Sequence, residues 1–246
     1  MTRDVQWIEP GQPFPPVSDA WGASDPAPGL LAIGGSLDVN TLRRAYCQGI
    51  FPWFNDGQPI LWWSPDPRMV LKTDAFRLHR SMRQTLKAFL AQADNELRID
   101  TAFCEIIRAC ATTTRVGQKG TWIGDDMVQA YDSLHAAGMA HSFEVWSQGK
   151  LVGGLYCVAV GGAVFGESMF SRVSNASKLA LTGLVAFCRY NCITHIDCQQ
   201  NTSHLASLGA AEMSRTDFLA AVRQAAVVPS PIWRFDSVYW DTVLKR

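Results

Sequence analysis

The chain has 246 residues with 22 basic and 22 acidic side chains, so its formal net charge is zero. This balance argues against a protein that coats nucleic acid by bulk electrostatics, and any such contact must come from a local patch. The apolar fraction of 48% suits one large domain or a medium domain with a small one. With no apolar run of about 18 residues, the sequence predicts no membrane span.

The first part of the chain predicts a small N-terminal α/β domain over residues 1–66. Gly29–Gly35 is typical of a short strand that ends in a turn, and Asp38 is placed to cap the helix that follows. Two prolines near residue 66 interrupt regular structure and mark a boundary. We therefore predict a second, catalytic domain over 67–228 and a C-terminal tail of unassigned role over 229–246.

A helix predicted from His79 to Gln92 carries the clear basic patch of this sequence. Residues 75–93 contain no acidic side chain. A solvated helix face is the commoner explanation of such a patch, and a phosphate-binding surface is the alternative. The apolar stripe on the opposite face comprises Met82, Leu86, Phe89 and Leu90. The basic patch comprises Arg77, Arg80, Arg83 and Lys87.

From residue 142 onward the pattern changes to strands. Ser142–Trp146, Leu151–Val160 and Ala163–Phe170 predict a three-stranded antiparallel meander. A helix over Asn175–Asn191 and a strand over Ile193–Gln199 follow. This order resembles an acetyltransferase-like (GNAT) core, so we predict an α+β fold with a mixed sheet between helices.

The junction between the meander and the next helix argues against coenzyme A. A coenzyme A-dependent transferase uses glycines there, because they let amide N–H groups approach the pyrophosphate. The segment Phe170–Lys178 contains no glycine. A coenzyme A-dependent N-acyltransferase is therefore a disfavoured alternative, and we expect no cofactor.

Polar side chains gather at the ends of two predicted strands. Glu167 lies in an apolar run, where a solvent-facing charge is the simpler interpretation. Asp197 and Gln199 are two residues apart on the next strand, so they share a face with His195. Asp197 could serve only to cap the next helix, but sites of open sheets form at the carboxyl ends of strands. We therefore expect Glu167, Asp197 and Gln199 to form a site.

The cysteines indicate reduced thiols rather than a disulfide or metal framework. Their number, seven, is odd, their spacing is unpaired, and the N-terminus lacks a signal peptide's apolar region. We therefore expect a cytoplasmic protein. The run Cys188, Cys192, His195 and Cys198 suggests zinc, but His195 and Cys198 point to opposite sides of a strand. We expect no metal.

Eight segments together resemble the bacterial leucyl/phenylalanyl-tRNA–protein transferases, and they occur in the order of that family. Their combination is far more specific than any single motif. The segments are Gly49–Phe54, Leu61–Arg68, Gly120–Ile123, His141–Trp146, Leu151–Gly154, Gly166–Arg172, Asn175–Lys178 and Ile196–Gln199. The resemblance implies an enzyme that moves leucine or phenylalanine, and methionine less well, from aminoacyl-tRNA to the N-terminal Arg or Lys of proteins. This transfer marks the acceptors for N-degron degradation. Nothing in the sequence indicates an obligate oligomer, so we expect a monomer.

The resemblance also implies roles for individual residues. Asp197 and Gln199 orient the attacking amine, Asp197 as a candidate base, and Glu167 lies at the aminoacyl end. We expect Asp197→Ala to lose transfer with intact folding. Trp53 and Trp122 would stack on the terminal adenosine, although the polar loop around Trp122 fits a plug onto the core equally well.

The transferred side chain is implied to occupy an apolar pocket. Leucine at 184 and cysteine at 188 stand where some relatives carry aromatic residues, which predicts a roomier pocket. The basic helix would contact tRNA phosphates. A non-enzymatic RNA-binding module is the second alternative, and the polar cluster at the strand ends opposes it. The implied pocket residues are Leu155, Val164, Leu181, Leu184, Cys188 and Ile196.

Overall fold

The computed structural model describes residues 4–113 and 123–245. A four-stranded mixed sheet has the spatial order β1-β2-β4-β3. Its strands are β1 (Gln6–Ile8), β2 (Leu30–Gly34), β3 (Phe51–Pro52) and β4 (Leu61–Trp63). Helix α1 (Val39–Cys47) begins after Asp38, whose carboxylate accepts the backbone N–H of Asn40 and of Thr41. The predicted cap is therefore confirmed.

A seven-stranded mixed sheet has the spatial order β11-β5-β10-β9-β8-β7-β6. Its strands are β5 (Arg68–Lys72), β6 (Asn95–Ile99), β7 (Ala140–Ser147), β8 (Lys150–Val160), β9 (Ala163–Ser171), β10 (His195–Gln199) and β11 (Ala211–Met213). The remaining helices are α2 (Arg80–Leu90), α3 (Phe103–Thr112), α4 (Asp125–Ala136), α5 (Ala176–Tyr190), α6 (Ser203–Ser207), α7 (Arg215–Ala226) and α8 (Asp241–Leu244).

Two hydrophobic clusters cover the two faces of the larger sheet. One contains residues of α3, α4 and α7 together with those of the four-stranded sheet, so the two sheets share a core. The other contains residues of α2, α5 and α8. Met82, Leu86 and Phe89 are buried as predicted, but Leu90 is 40% exposed. Leu90 lies about 80° around the helix from Met82, beyond the buried stripe.

The strand order confirms the α+β, acetyltransferase-like arrangement. Strands β7, β8 and β9 form the predicted antiparallel meander, and β10 pairs parallel to β9 after the α5 crossover. The parallel pairing joins Ile196 to Val164 and Asp197 to Phe165 and extends no further. Beyond those residues the two strands separate, which opens a space at their carboxyl ends.

The C-terminal tail, whose pattern predicted no element, packs against α5. Trp233 stacks on His141 with ring centroids 3.7 Å apart, and Trp240 and Val243 are buried. Arg189 of α5 donates to the Thr242 carbonyl at 2.9 Å. The tail is therefore part of the second hydrophobic cluster, and the domain limits at 66 and 228 stay predictions. Within the described ranges, the helices lack the length and apolar character needed to cross a bilayer.

Candidate active site

Asp197, the predicted catalytic carboxylate, is buried in an ion pair beside the candidate cavity. Its oxygens accept hydrogen bonds from Nε and Nη2 of Arg68 at 2.8 and 2.6 Å, and both side chains are 1% exposed. The guanidinium also donates to the Gly49 carbonyl and lies 4.6 Å from the ring centroids of both Phe51 and Phe218. Each carboxylate oxygen can accept two hydrogen bonds, and Asp197 lines the cavity described below, so its predicted contact with the attacking amine stays a prediction.

A β-bulge turns Gln199 away from the ion pair and toward Glu167. The register of β10 against β5 shifts between Asp197 and Gln199, and Gln199 has a left-handed φ of 61°. The Gln199 N–H donates to Oδ1 of Asp197 at 2.8 Å, and its side-chain amide donates to Oε1 of Glu167 at 3.1 Å. The single face predicted for His195, Asp197 and Gln199 assumed strict alternation, which the bulge interrupts.

Two tyrosines hold the Glu167 carboxylate. Tyr46 of α1 donates to Oε1 at 2.8 Å, and Tyr131 of α4 donates to Oε2 at 3.2 Å. The two hydroxyl oxygens are 2.5 Å apart, and both tyrosines are fully buried. Helix α1 belongs to the N-terminal part of the chain, whereas Glu167 and Tyr131 belong to the part that contains the larger sheet. Both parts of the chain therefore contribute residues to this site.

Glu167 titrates near neutral pH. Burial raises the pKa of its carboxyl to about 7, and the nearby charge of Asp197 adds to the rise, while the three side-chain hydrogen bonds oppose it. Burial and the charge of Glu167 hold the pKa values of Tyr46 and Tyr131 well above their usual range. The tyrosines therefore remain hydroxyl donors when the carboxyl ionises.

A cavity of about 230 Å³ adjoins Glu167 and Gln199. Predicted pocket residues from β8, α5 and β10 line it, namely Leu155, Leu181, Leu184 and Ile196. Val164 instead lines a separate cavity between α7 and the sheet. Cys188 is fully buried one helical turn from Leu184. Val164 and Cys188 do not line this cavity but belong to the same hydrophobic cluster as the residues that do, so their place in the pocket wall stays a prediction.

The structure describes one of the two tryptophans predicted at the adenosine, and the contact of Trp53 with the adenosine stays a prediction. Trp53 is half-buried on the loop after β3, and its ring packs edge-on against Trp63 with centroids 5.4 Å apart. Its carbonyl accepts the indole N–H of Trp63 at 2.7 Å, which fixes this loop against β4. Trp122 lies outside the described residues, so its place beside the adenosine stays a prediction.

The predicted basic patch comprises Arg77, which precedes α2, and three residues of α2 itself. Arg77, Arg80 and Lys87 are exposed. Arg83 is half-buried, and its guanidinium donates to the carbonyl of Leu244 at 2.8 Å. Arg83 therefore holds the C-terminal helix α8, and its predicted role in binding tRNA stays a prediction.

The metal and coenzyme A alternatives gain no support from the geometry. Within residues 4–113 and 123–245, no three His, Cys, Asp or Glu side chains converge as metal ligands would. At the β9–α5 junction, the N–H groups of Arg172 and Val173 donate to the Val152 carbonyl, and that of Ser177 donates to the Ser171 hydroxyl. These amides, which a pyrophosphate would need, bond within the chain.

Three side chains of the site were missed by sequence reasoning. Tyr46 and Tyr131 lie on the buried stripes of α1 and α4, where an aromatic residue is typical of a core. Arg68 begins one apolar strand, and Asp197 lies within another. The sequence did offer one signal for their pairing, which is that Arg68 and Asp197 carry opposite charges within apolar strands. Buried charges need partners.

Family models match two stretches of this chain. A model described as leucyl/phenylalanyl-tRNA protein transferase matches residues 70–223, and one described as the N-terminal domain of that protein matches residues 35–66. A leucyl/phenylalanyl-tRNA–protein transferase of a Polaromonas species is 59% identical, over 99% of this chain and 96% of its own length. A protein of the same name from Albidiferax ferrireducens is 57% identical, over 98% of this chain and 94% of its own length.

Solved structures match more distantly. FemX is 10% identical, with a TM-score of 0.44 over 71% of this chain and 66% of its own. A GCN5-related N-acetyltransferase-like protein from Streptococcus suis is 12% identical, with a TM-score of 0.35 over 71% of this chain and 64% of its own. These similarities are too low to bear on the site.

Proposed function

This chain belongs to the leucyl/phenylalanyl-tRNA–protein transferase family, and from that premise we propose that it transfers leucine or phenylalanine from aminoacyl-tRNA to the N-terminal Arg or Lys of proteins. Methionine is a poorer donor. The new N-terminal residue marks the acceptor for N-degron degradation. We place the reaction in the cytoplasm, where charged tRNA is made, and assign it to a monomer.

One observation carries this proposal: an apolar cavity ends at a polar rim formed by Glu167 and Gln199. The cavity suits an uncharged side chain, and the rim suits the ester and the attacking amine. The test is transfer of labelled phenylalanine from charged tRNA to a peptide that begins with Arg, with the same peptide beginning with Ala as control. A folded protein that labels neither peptide would contradict the proposal.

The reaction joins the acceptor nitrogen to the carbonyl carbon of the aminoacyl ester. A C–N bond forms, the C–O bond to the ribose breaks, and the ribose oxygen takes up a proton. An α-amine has a pKa of about 7.7–8.0, so it needs no strong base to become neutral. Glu167 borders the cavity and titrates near pH 7. It is therefore the group that accepts the proton of the nitrogen, which becomes an ammonium on attack, and this proton then passes to the ribose oxygen.

Gln199 orients the amine, and Asp197 positions Gln199. The side-chain amide N–H of Gln199 donates to Glu167. The side-chain carbonyl oxygen of Gln199 is then the acceptor for the amine. Asp197 holds the bulge through its bond to the Gln199 N–H while Arg68 neutralises its charge. Asp197 acts through Gln199 rather than as the base.

We expect Leu184→Ala to change the choice between donors. Leu184 is 1% exposed and borders the cavity. Its truncation leaves room for a larger side chain, so the ratio of kcat/KM for phenylalanyl-tRNA over leucyl-tRNA should rise about tenfold. Val222→Ala, which truncates a buried aliphatic side chain of α7 outside this cavity, is the matched control and should leave the ratio unchanged. Equal ratios in Leu184→Ala and wild type would show that Leu184 does not contact the transferred side chain.

We expect Arg80 and Lys87 of α2, together with Arg77 just before it, to bind tRNA phosphates without reading sequence. Reversing Arg77, Arg80 and Lys87 to Glu should weaken aminoacyl-tRNA binding and reduce the slope of log K against log salt by about 1 for each phosphate that is no longer neutralised. Arg83 is left intact because it holds α8. The control is Arg223→Glu on α7, which packs on the opposite face of the sheet. Unchanged affinity and slope would refute the assignment.

A further inference from the structure

We propose that Tyr46 and Tyr131 are positioning residues of the transfer reaction, whose hydroxyls hold Glu167 and keep its carboxylate able to take the proton of the acceptor amine. The inference rests on the proposed function, because it assumes an amine attacking at this rim. Its geometric basis is the three mutual contacts of these side chains, at 2.8, 3.2 and 2.5 Å.

The number of protons among these three side chains changes when Glu167 is protonated. An ionised Glu167 leaves two hydroxyl protons for three contacts, so one contact lacks a proton. When Oε2 of Glu167 is protonated, its hydrogen supplies the proton that the third contact lacks. Oε2–H then donates to Tyr131, Tyr131 donates to Tyr46, and Tyr46 donates to Oε1, which closes a ring. The arrangement therefore accommodates Glu167 both before and after it takes the proton.

The charges around Glu167 make the hydroxyls necessary. Burial disfavours the ionised carboxyl, and Asp197 on β10 adds repulsion that its pairing with Arg68 limits. Cys157 of β8 faces the same region, but burial raises the pKa of its thiol and keeps it neutral. His204 of α6 borders the cavity, and burial lowers its pKa. The tyrosine hydroxyls and Gln199 are the groups that hydrogen-bond the charged form.

Both hydroxyls are fixed by the helices that carry them. Tyr46 follows fully buried Leu42 and Ala45 on α1, whose first turn Asp38 caps. Tyr131 lies between buried Met127 and Leu134 on α4. Rigid placement from two helices lets the oxygens meet the carboxylate without the entropic cost of ordering a surface side chain. The N-terminal unit is thus needed for the chemistry as well as for the shared core.

The experiment compares pH profiles of Tyr46→Phe, Tyr131→Phe and wild type. Each variant loses a hydrogen bond to a charged group, so Glu167 should protonate at a higher pH. We expect the acid limb of kcat/KM to move up by on the order of one pH unit, with about tenfold lower activity at pH 7 and recovery toward pH 9. Tyr190→Phe, which alters an exposed ring at the end of α5, is the matched control.

A second measurement follows the Glu167 carboxyl itself by ¹³C NMR, with its signal assigned by loss in Glu167→Gln. An upward shift of its titration in both phenylalanine variants supports the inference. An unchanged titration in the folded variants, or an activity loss equal at every pH, overturns the inference and leaves the proposed function standing. A blank transfer assay with wild-type protein overturns the proposed function, and the inference with it, whatever the titration shows.

Discussion

Arg68→Met is expected to lower the free energy of unfolding by about 3–5 kcal/mol, because it leaves the Asp197 carboxylate buried without its partner. Both side chains are 1% exposed, and the guanidinium also holds the Gly49 carbonyl. Loss on this scale is a large part of the stability of an ordinary domain. Urea denaturation at pH 7, followed by tryptophan fluorescence, measures it. A midpoint equal to that of wild type would show that the pair is unimportant for folding.

The double variant Arg68→Met with Asp197→Leu is the matched control. Replacing both members of a buried ion pair by apolar side chains is often neutral, so most of the lost stability should return. Transfer should stay impaired, because Gln199 has lost the carboxylate that holds its bulge. Asp197→Ala alone leaves a buried guanidinium, so the sequence-based expectation that it folds normally is replaced by one of destabilisation.

Glu167→Gln is expected to lower kcat for transfer by on the order of 10²–10⁴-fold, the usual contribution of a proton acceptor. Glutamine keeps the size of the side chain and accepts the hydroxyl of Tyr46, but it cannot take a proton in this pH range. Single-turnover transfer at saturating aminoacyl-tRNA measures the effect. Glu212→Gln, on the exposed edge strand β11, is the control. Activity within about threefold of wild type would remove Glu167 as the proton acceptor.

Glu167→Gln is expected to lower activity but to raise the free energy of unfolding at pH 8. The folded pKa of Glu167 is about 7 and its usual value is 4.5, so the folded state binds more protons than the unfolded state between those values. Wild-type stability contributed by this group therefore falls as pH rises through that window. We expect Glu167→Gln to be more stable than wild type at pH 8, by roughly 1–3 kcal/mol, with the difference shrinking toward pH 5. Urea denaturation at the two pH values shows it.

Much of the fold follows from local pattern. Asp38 caps α1 where the sequence places a cap, and the meander of β7, β8 and β9 follows the spacing of its apolar residues and glycine turns. Glu167 and Gln199 were predicted at the ends of adjacent strands, and their side chains do meet. These features depend on residues close in sequence, or on strand neighbours that a meander and one crossover determine.

What local pattern could not supply is the partner of each buried polar group. Asp197 meets Arg68 across 129 residues, and Glu167 meets Tyr46 across 121. Periodicity does not distinguish a buried tyrosine on an apolar stripe from a core residue. A bulge likewise cannot be read from the order of polar and apolar residues along a strand. The sequence by itself determined the elements, the family segments and the two polar residues at the rim. Only the tertiary structure decided that Asp197 pairs with Arg68 and that burial raises the pKa of Glu167, because the groups that surround each carboxylate come from distant parts of the chain.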